Sequence, residues 1–235
     1  MIILKDALFK RDNRFSLKVD RVEIKEGSKT VLIGASGSGK TTLLRVLSGL
    51  EEDFTGEYSI DGKPKEKLGE LKSRGVMFLS QEFLLWEHLT VIEHINFVLT
   101  RGKSLKNTKE SEEFLEIVGL IYKKNSKISQ LSTGERQRLA LARALSAKAK
   151  YLFLDEPFSN IDVVLAHELI EVIEKRQKID GFALVKSTHH HLGFKQDGNQ
   201  IVILDSGKII QQGEWHEIQK NPKSRWVEQW VDLVS

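Results

Sequence analysis

Gly34-Ala35-Ser36-Gly37-Ser38-Gly39-Lys40-Thr41-Thr42 is the stretch that decides how this chain is read. It fits G-x-x-x-x-G-K-[ST], in which a glycine-rich loop turns backbone N–H groups toward a phosphate chain. The flanks fit as well. Lys29-Thr-Val-Leu-Ile33 has the length and apolar character of a buried strand, and Thr42-Leu-Leu-Arg-Val-Leu-Ser-Gly49 reads as a helix stopped by its glycine. A loop between a strand and a helix N-terminus is an anion site, because free N–H groups and the helix dipole both favour negative charge. Gly34, Gly37 and Gly39 are read as letting the backbone wrap closely, with no Cβ to hold it off the phosphates. Lys40 can reach the β- and γ-phosphates, and the Thr41 hydroxyl can ligate Mg²⁺. The pattern implies a bound nucleoside triphosphate.

The 235 residues suffice for one large α/β domain, or for one domain carrying an inserted subdomain. A hydrophobic fraction of 40% and a charged fraction of 29% are ordinary for a soluble globular chain. The formal charge of +3, without a dense Lys/Arg run, gives no argument for nucleic acid. Cysteine is absent, which excludes disulfides and thiolate metal sites and agrees with a reducing cytoplasm. Met1-Ile-Ile-Leu-Lys5 reads as a strand and not as a signal peptide. No stretch approaches the ~20 apolar residues of a membrane span. Any membrane role is therefore expected to come through a partner.

Along the chain, residues 2–5 and 15–24 read as strands, the second alternating Phe15, Leu17 and Val19 with charged neighbours. Strands are also expected over Phe54 to Ile60 and Gly75 to Leu79, the latter followed by Ser80-Gln81. From Glu82 to about Leu145 the pattern turns helical: Val91, Ile92, Ile95, Val98 and Leu99 repeat at helical spacing, as do Phe114, Leu115 and Val118. Between them Arg101 to Glu110 reads as a polar surface loop. Leu131-Ser-Thr-Gly-Glu-Arg-Gln-Arg138 leads into a strong helix, and Tyr151-Leu-Phe-Leu154 is an apolar strand running into Asp155-Glu156-Pro157. A helix over Asp162 to Lys178, a strand over Phe182 to Lys186, a hairpin around Asp205-Ser-Gly-Lys208 and a helical tail with Trp215, Trp226 and Trp230 follow.

A carboxylate at the C-terminal edge of a parallel strand beside a phosphate loop is where Mg²⁺ needs an outer ligand, which gives Asp155 that role. Glu156, one residue on, could take a proton from the water attacking the γ-phosphate. With Leu131-Ser132-Thr133-Gly134-Glu135, Gln81 and His189, these residues resemble, in order and spacing, the ATPase cassette of ATP-binding cassette (ABC) transporters. The resemblance covers essentially the whole chain. The family signature is usually Leu-Ser-Gly-Gly-Gln; here Thr133 and Glu135 depart from it. Ser132 still offers a hydroxyl and Gly134 an unhindered N–H at a helix N-terminus. A plain N-cap, with Ser132 as cap and Glu135 at the third position, is compatible with that reading.

The resemblance implies a RecA-like α/β P-loop core (about 1–81 and 146–235) with an N-terminal antiparallel β-subdomain and an inserted α-helical subdomain (about 82–145). It implies ATP and Mg²⁺ as cofactors, with Thr41, Gln81 and Asp155 on the metal. Glu156, His189 and Gln81 become the catalytic set, His189 as the switch histidine bonding the γ-phosphate. Ser132, Gly134 and Asp162 would contact ATP across a head-to-tail dimer. The metal-cluster reading of His189-His190-His191 is weak, because consecutive side chains point different ways. Where the family commonly has an aromatic on adenine, this chain has Arg11, with Phe9 and Phe15 nearby. The expected protein is a peripheral ATPase subunit on the cytoplasmic face of the inner membrane. It would drive separate permease subunits, with a solute-binding protein possible and no nucleic acid. Glu82 to Val91 would form the docking groove, and Asp155-Glu-Pro-Phe-Ser159 resembles importers of small ions and solutes. The rival is a soluble ABC ATPase acting on nucleic acid or ribosomes, whose relatives carry two cassettes or a long coiled-coil insertion.

Overall fold

The computed structural model describes residues 1–11, 15–67, 75–103, 109–158, 161–188 and 199–234. Among the described residues ten strands form one sheet in the order β5-β4-β1-β2-β10-β9-β3-β8-β7-β6. Five of them are parallel: β6 (Val76–Leu79), β7 (Tyr151–Leu154), β8 (Ala183–Thr188), β3 (Lys29–Ile33) and β9 (Asn199–Asp205). The near-continuous burial of β3, β7 and β8 is what a parallel sheet covered on both faces requires. The other half is antiparallel: β1 (Ile2–Arg11), β2 (Phe15–Ile24), β4 (Phe54–Ile60) and β5 (Lys63–Pro64). The expected strand over 2–5 runs on to Arg11, because its register with β2 continues to the Arg11–Phe15 pair.

Side-chain alternation sends successive residues to opposite faces. Leu32 of β3 and Val202 of β9 pack with Leu43, Leu44 and Leu47 of α1 (Lys40–Ser48). Val31, Ile33, Ile201 and Ile203 face the other way, onto Ile218 of α6 (Trp215–Lys220) and onto Val227, Val231 and Val234 of α7 (Arg225–Val234). Each of those buried leucines contributes roughly 1.5–3 kcal/mol on leaving water. Helix α1 ends where the sequence predicts, at Gly49, whose φ of 74° is the left-handed cap that glycine adopts without strain.

The helices α2 (Val91–Leu99), α3 (Lys109–Ile117) and α4 (Thr133–Ser146) share a third cluster. Val91, Ile95, Phe114, Leu115 and Leu139 meet there, and Leu152 and Leu154 of β7 join from the sheet. The long α5 (Val163–Asp180) adds Leu169 and Ile173 to the same cluster.

The two halves of the sheet are joined by one register pair, Lys208 of β10 (Lys208–Glu214) with Lys18 of β2. At that seam the Gly207 N–H donates to Ser38 O (3.0 Å), and Gly207 O accepts from Lys18 N (2.7 Å). Gly207 has φ 75°, and a Cβ there would stand 1.9 Å from Ser16 O, so only glycine fits.

Candidate functional site

The loop between β3 and α1 curls around the Lys40 side chain. Its Nζ donates to Gly34 O (2.9 Å) and Ala35 O (3.1 Å) and lies 3.8 Å from Glu156 Oε1. Burial pushes the Lys40 pKa down, with Glu156 and then Asp155 opposing that shift. The structure adds a constraint on the glycines that the sequence did not show. A Cβ on Gly34 would meet Leu204 O at 2.3 Å, and one on Gly39 would meet the Phe15 ring at 3.1 Å. Gly34 is required by the chain's own packing, Gly39 is set by its φ of 106° beside a tight Phe15 contact, and Gly37 by its φ of 79° with open space around it.

Asp155 is buried at the end of β7, its backbone N–H on Leu79 O (2.9 Å). Its Oδ1 accepts from Thr41 Oγ1 (3.1 Å) and from Ser187 Oγ (2.7 Å). The Ser187 hydroxyl in turn accepts from the Glu156 N–H (2.9 Å). Glu156 itself has φ 47°, an uphill conformation for a residue with a side chain. Thr41, Asp155 and Glu156 are thus brought together from two loops.

A cavity of about 380 Å³ opens over this group, walled by Ser36, Gly37, Lys40 and Thr41 together with Gln81, Glu156 and Phe15. Ser38 is buried beneath it, and Thr42 reaches both this cavity and a neighbouring one beside Phe9. Phe9 is only 8% exposed and packs in the core, at the neighbouring cavity, whereas Phe15 lines the cavity beside Lys40. Arg11 pairs with Phe15 through the backbone, but its side chain falls outside the described residues.

Ser132 caps the N-terminus of α4: its Oγ accepts from Glu135 N (3.2 Å), and its N–H donates to Glu135 Oε2 (2.8 Å). Gly134 sits in the first turn, 3.5 Å being the closest approach a Cβ would make, to Ile161. Asp162 caps α5, accepting from Leu165 N (2.9 Å). None of Ser132, Gly134 or Asp162 lines the cavity beside Lys40. His189 lies outside the described residues, as do Ser159, Asn160, His190 and His191. Among the described residues no His, Asp or Glu cluster of metal-binding type occurs.

The family model for the ABC transporter matches residues 17–159, from β2 through the phosphate loop, α4 and the Asp155-Glu156 strand. The chain belongs to the ABC transporter family. It is 38% identical to the probable sulfate/thiosulfate import ATP-binding protein CysA of Chlorella vulgaris, over 99% of this chain and 100% of that protein. It is 35% identical to the glutamine transport ATP-binding protein GlnQ of Escherichia coli, over 91% of both chains. Of the longer CysA protein of Synechocystis sp., at 36% identity, it spans 62% of the length. In structure it resembles the dimeric post-hydrolysis state of the ATP-binding cassette MJ0796 bound to ADP and Pi. The TM-score is 0.79 at 28% identity, over 91% of this chain and 98% of that one. The architecture is the α/β P-loop ATPase fold of ABC cassettes.

Two features of this ABC cassette are missing from the sequence reading. Ser187 is visible only as one of the polar residues Lys186-Ser187-Thr188 that close the strand, and nothing in one sequence ties it to Asp155. Tyr122 donates to Glu135 Oε1 (2.7 Å), and the Glu135 carboxylate is held below its usual range by the Ser132 N–H and then by Tyr122. The acid that replaces the family's glutamine thus serves as both cap and acceptor.

Proposed function

We propose that this cassette hydrolyses ATP as a peripheral subunit of an importer, in a head-to-tail dimer that drives separate membrane subunits. The observation carrying this reading is the division of the site. Lys40, Thr41, Gln81, Glu156 and Phe15 share one cavity, while Ser132, Gly134 and Asp162 lie outside it at helix N-termini. Groups outside that cavity would reach its phosphates when a second chain presents them.

In this reading Lys40 leaves its loop carbonyls for the β- and γ-phosphates, and the backbone N–H groups of 36–41 bind the phosphate chain. Gln81 orients the attacking water, Glu156 accepts its proton, and His189 bonds the γ-phosphate. The partner's Ser132 hydroxyl and Gly134 N–H cover the same phosphate. Thr41 hydroxyl, Asp155 carboxylate and Gln81 amide are oxygen donors of the type Mg²⁺ selects, and the Thr41–Asp155 contact puts two of them side by side. Bound there, Mg²⁺ would neutralise charge on the β- and γ-oxygens.

The membrane subunits would dock on the segment after Gln81, where Leu84 is 65% exposed; Phe83 and Leu85 instead pack on the helical core. Among the described residues no helix is long and apolar enough to cross a membrane, so attachment would run through those subunits. The named relatives import sulfate/thiosulfate or transport glutamine, which supports a small solute, delivered by a solute-binding protein.

Mixing two inactive proteins, Lys40→Ala and Ser132→Arg, tests the shared site. A mixed dimer keeps one site with an intact phosphate loop facing an intact α4 N-terminus. Partial recovery of ATPase activity on mixing is expected. Constant specific activity of the wild-type protein over a wide dilution range, with no recovery on mixing, would refute the shared site.

A further inference from the structure

Arg143 sits on the inward face of α4, 7% exposed. A charge this deep is rare unless its donors are used. Nη1 donates to Leu84 O (2.7 Å) and Nη2 to Phe83 O (2.7 Å), and the guanidinium lies 5.0 Å from the centre of the Trp86 ring. The Nε has no hydrogen-bond partner among the described residues. The fork therefore satisfies two carbonyls at the expense of its own third direction. Those carbonyls belong to the only pair of consecutive non-glycine residues with left-handed backbone among the described residues, Phe83 (φ 58°) and Leu84 (φ 43°). Two such residues in a row are uphill on their own and persist where surroundings hold them.

The bend begins two residues after Gln81, which lines the cavity beside Lys40. Its far end is held from α2, where His94 Nε2 accepts from Trp86 N (3.0 Å) and His94 Nδ1 bonds Thr90 O (2.8 Å). The same α4 also reaches the other acid-bearing loop, because the Gln137 amide donates to Pro157 O, one residue after Glu156. Six residues of helix separate Gln137 from Arg143, about 9 Å. One rigid helix is thereby fastened to both segments that reach the cavity from β6 and β7.

We infer that Arg143 is a positioning residue for ATP turnover: by clamping the Phe83 and Leu84 carbonyls it holds Gln81 in place over the phosphate loop. The inference rests on the role proposed for Gln81, and its test separates the two. Arg143→Lys keeps the charge, but a point donor cannot serve two carbonyls in fork geometry. Measured well below its melting temperature, this variant is expected to exchange the backbone amides of 81–86 faster with deuterium, while those of β7 stay as in the wild type. Turnover should fall about tenfold with ATP affinity within about twofold. Gln81→Ala combined with Arg143→Lys should turn over no slower than Gln81→Ala alone, because groups acting through one another are not additive.

Unchanged exchange over 81–86 overturns the clamp. A fully additive loss in the double variant overturns action through Gln81, and points to general support of the fold. Wild-type turnover of Gln81→Ala alone would instead remove the role proposed for Gln81, and with it the inference that Arg143 acts through that residue. Faster exchange in Arg143→Lys would show in that case that the failure lay with Gln81 and not with the clamp.

Discussion

The Ser187 hydroxyl donates to Asp155 Oδ1 at 2.7 Å and accepts from the N–H of the next residue, Glu156, at 2.9 Å. One hydroxyl buried on β8 thus fixes two consecutive acids at the end of β7. The Thr41 hydroxyl reaches the same Asp155 oxygen from α1, so the two strand ends and the phosphate loop meet at one atom.

Ser187→Ala leaves the Glu156 N–H without that acceptor and Asp155 Oδ1 with one donor fewer. Losing a buried partner costs about 1–3 kcal/mol. We predict turnover about tenfold lower with nucleotide affinity little changed, measured by steady-state ATPase assay and nucleotide titration. Wild-type turnover would mean that the two acids need no such support.

Glu156→Gln removes the proposed proton acceptor at nearly constant shape. Turnover should drop by roughly 10²–10⁴ while ATP still binds. An ATP-bound dimer should then accumulate on size-exclusion chromatography. Hydrolysis at the wild-type rate would sink the assignment.

What was legible in the sequence follows from local chemistry. The phosphate loop, the Ser132 cap with Glu135 and the Gly49 stop are each written in a few adjacent residues, and each stands in the structure as a local motif. The strand ending in Asp155 was readable because four apolar residues precede it. Partners distant in the chain were not readable. Ser187 meets Asp155 across neighbouring strands, and Arg143 meets Leu84 across 59 residues. A second reason for the glycines was hidden in the same way. The contact that forbids a Cβ at Gly34 comes from Leu204, and the tight one at Gly39 from Phe15, and no spacing rule foresees them.

Of the three residues considered for adenine, Phe15 lines the cavity beside Lys40, and we propose it as the base contact. Phe15→Ala is expected to raise the KM for ATP about tenfold, since stacking of a base on an aromatic is worth ~1–3 kcal/mol. The same assay on Phe9→Leu should show little change, that ring being in the core. An unchanged KM in Phe15→Ala would move the base elsewhere.

His94 gives a pH signature. Burial lowers its pKa to about 4, the bond to Thr90 O opposing this and Arg143 adding to it. The unfolded value is about 6.5. The unfolded chain therefore binds more protons between those values, so stability is fully present above about pH 6.5 and is lost as pH falls toward 4. The loss amounts to about 3 kcal/mol at most. His94→Gln should flatten the melting-temperature profile across that window. Parallel decline of both proteins would show that another group is responsible.

The seam at Gly207 carries a consequence for how the protein comes into being. Ser38 belongs to the phosphate loop and Ser16 and Lys18 to the strand that begins with Phe15, yet all three are knitted together by the turn of a hairpin near the other end of the chain. During synthesis the phosphate loop leaves the ribosome early, but the residue that locks it against Phe15 follows only after Asp205 and Ser206. The seam between the phosphate loop and the start of β2 therefore closes only after Gly207 has emerged, long after both of the segments it joins.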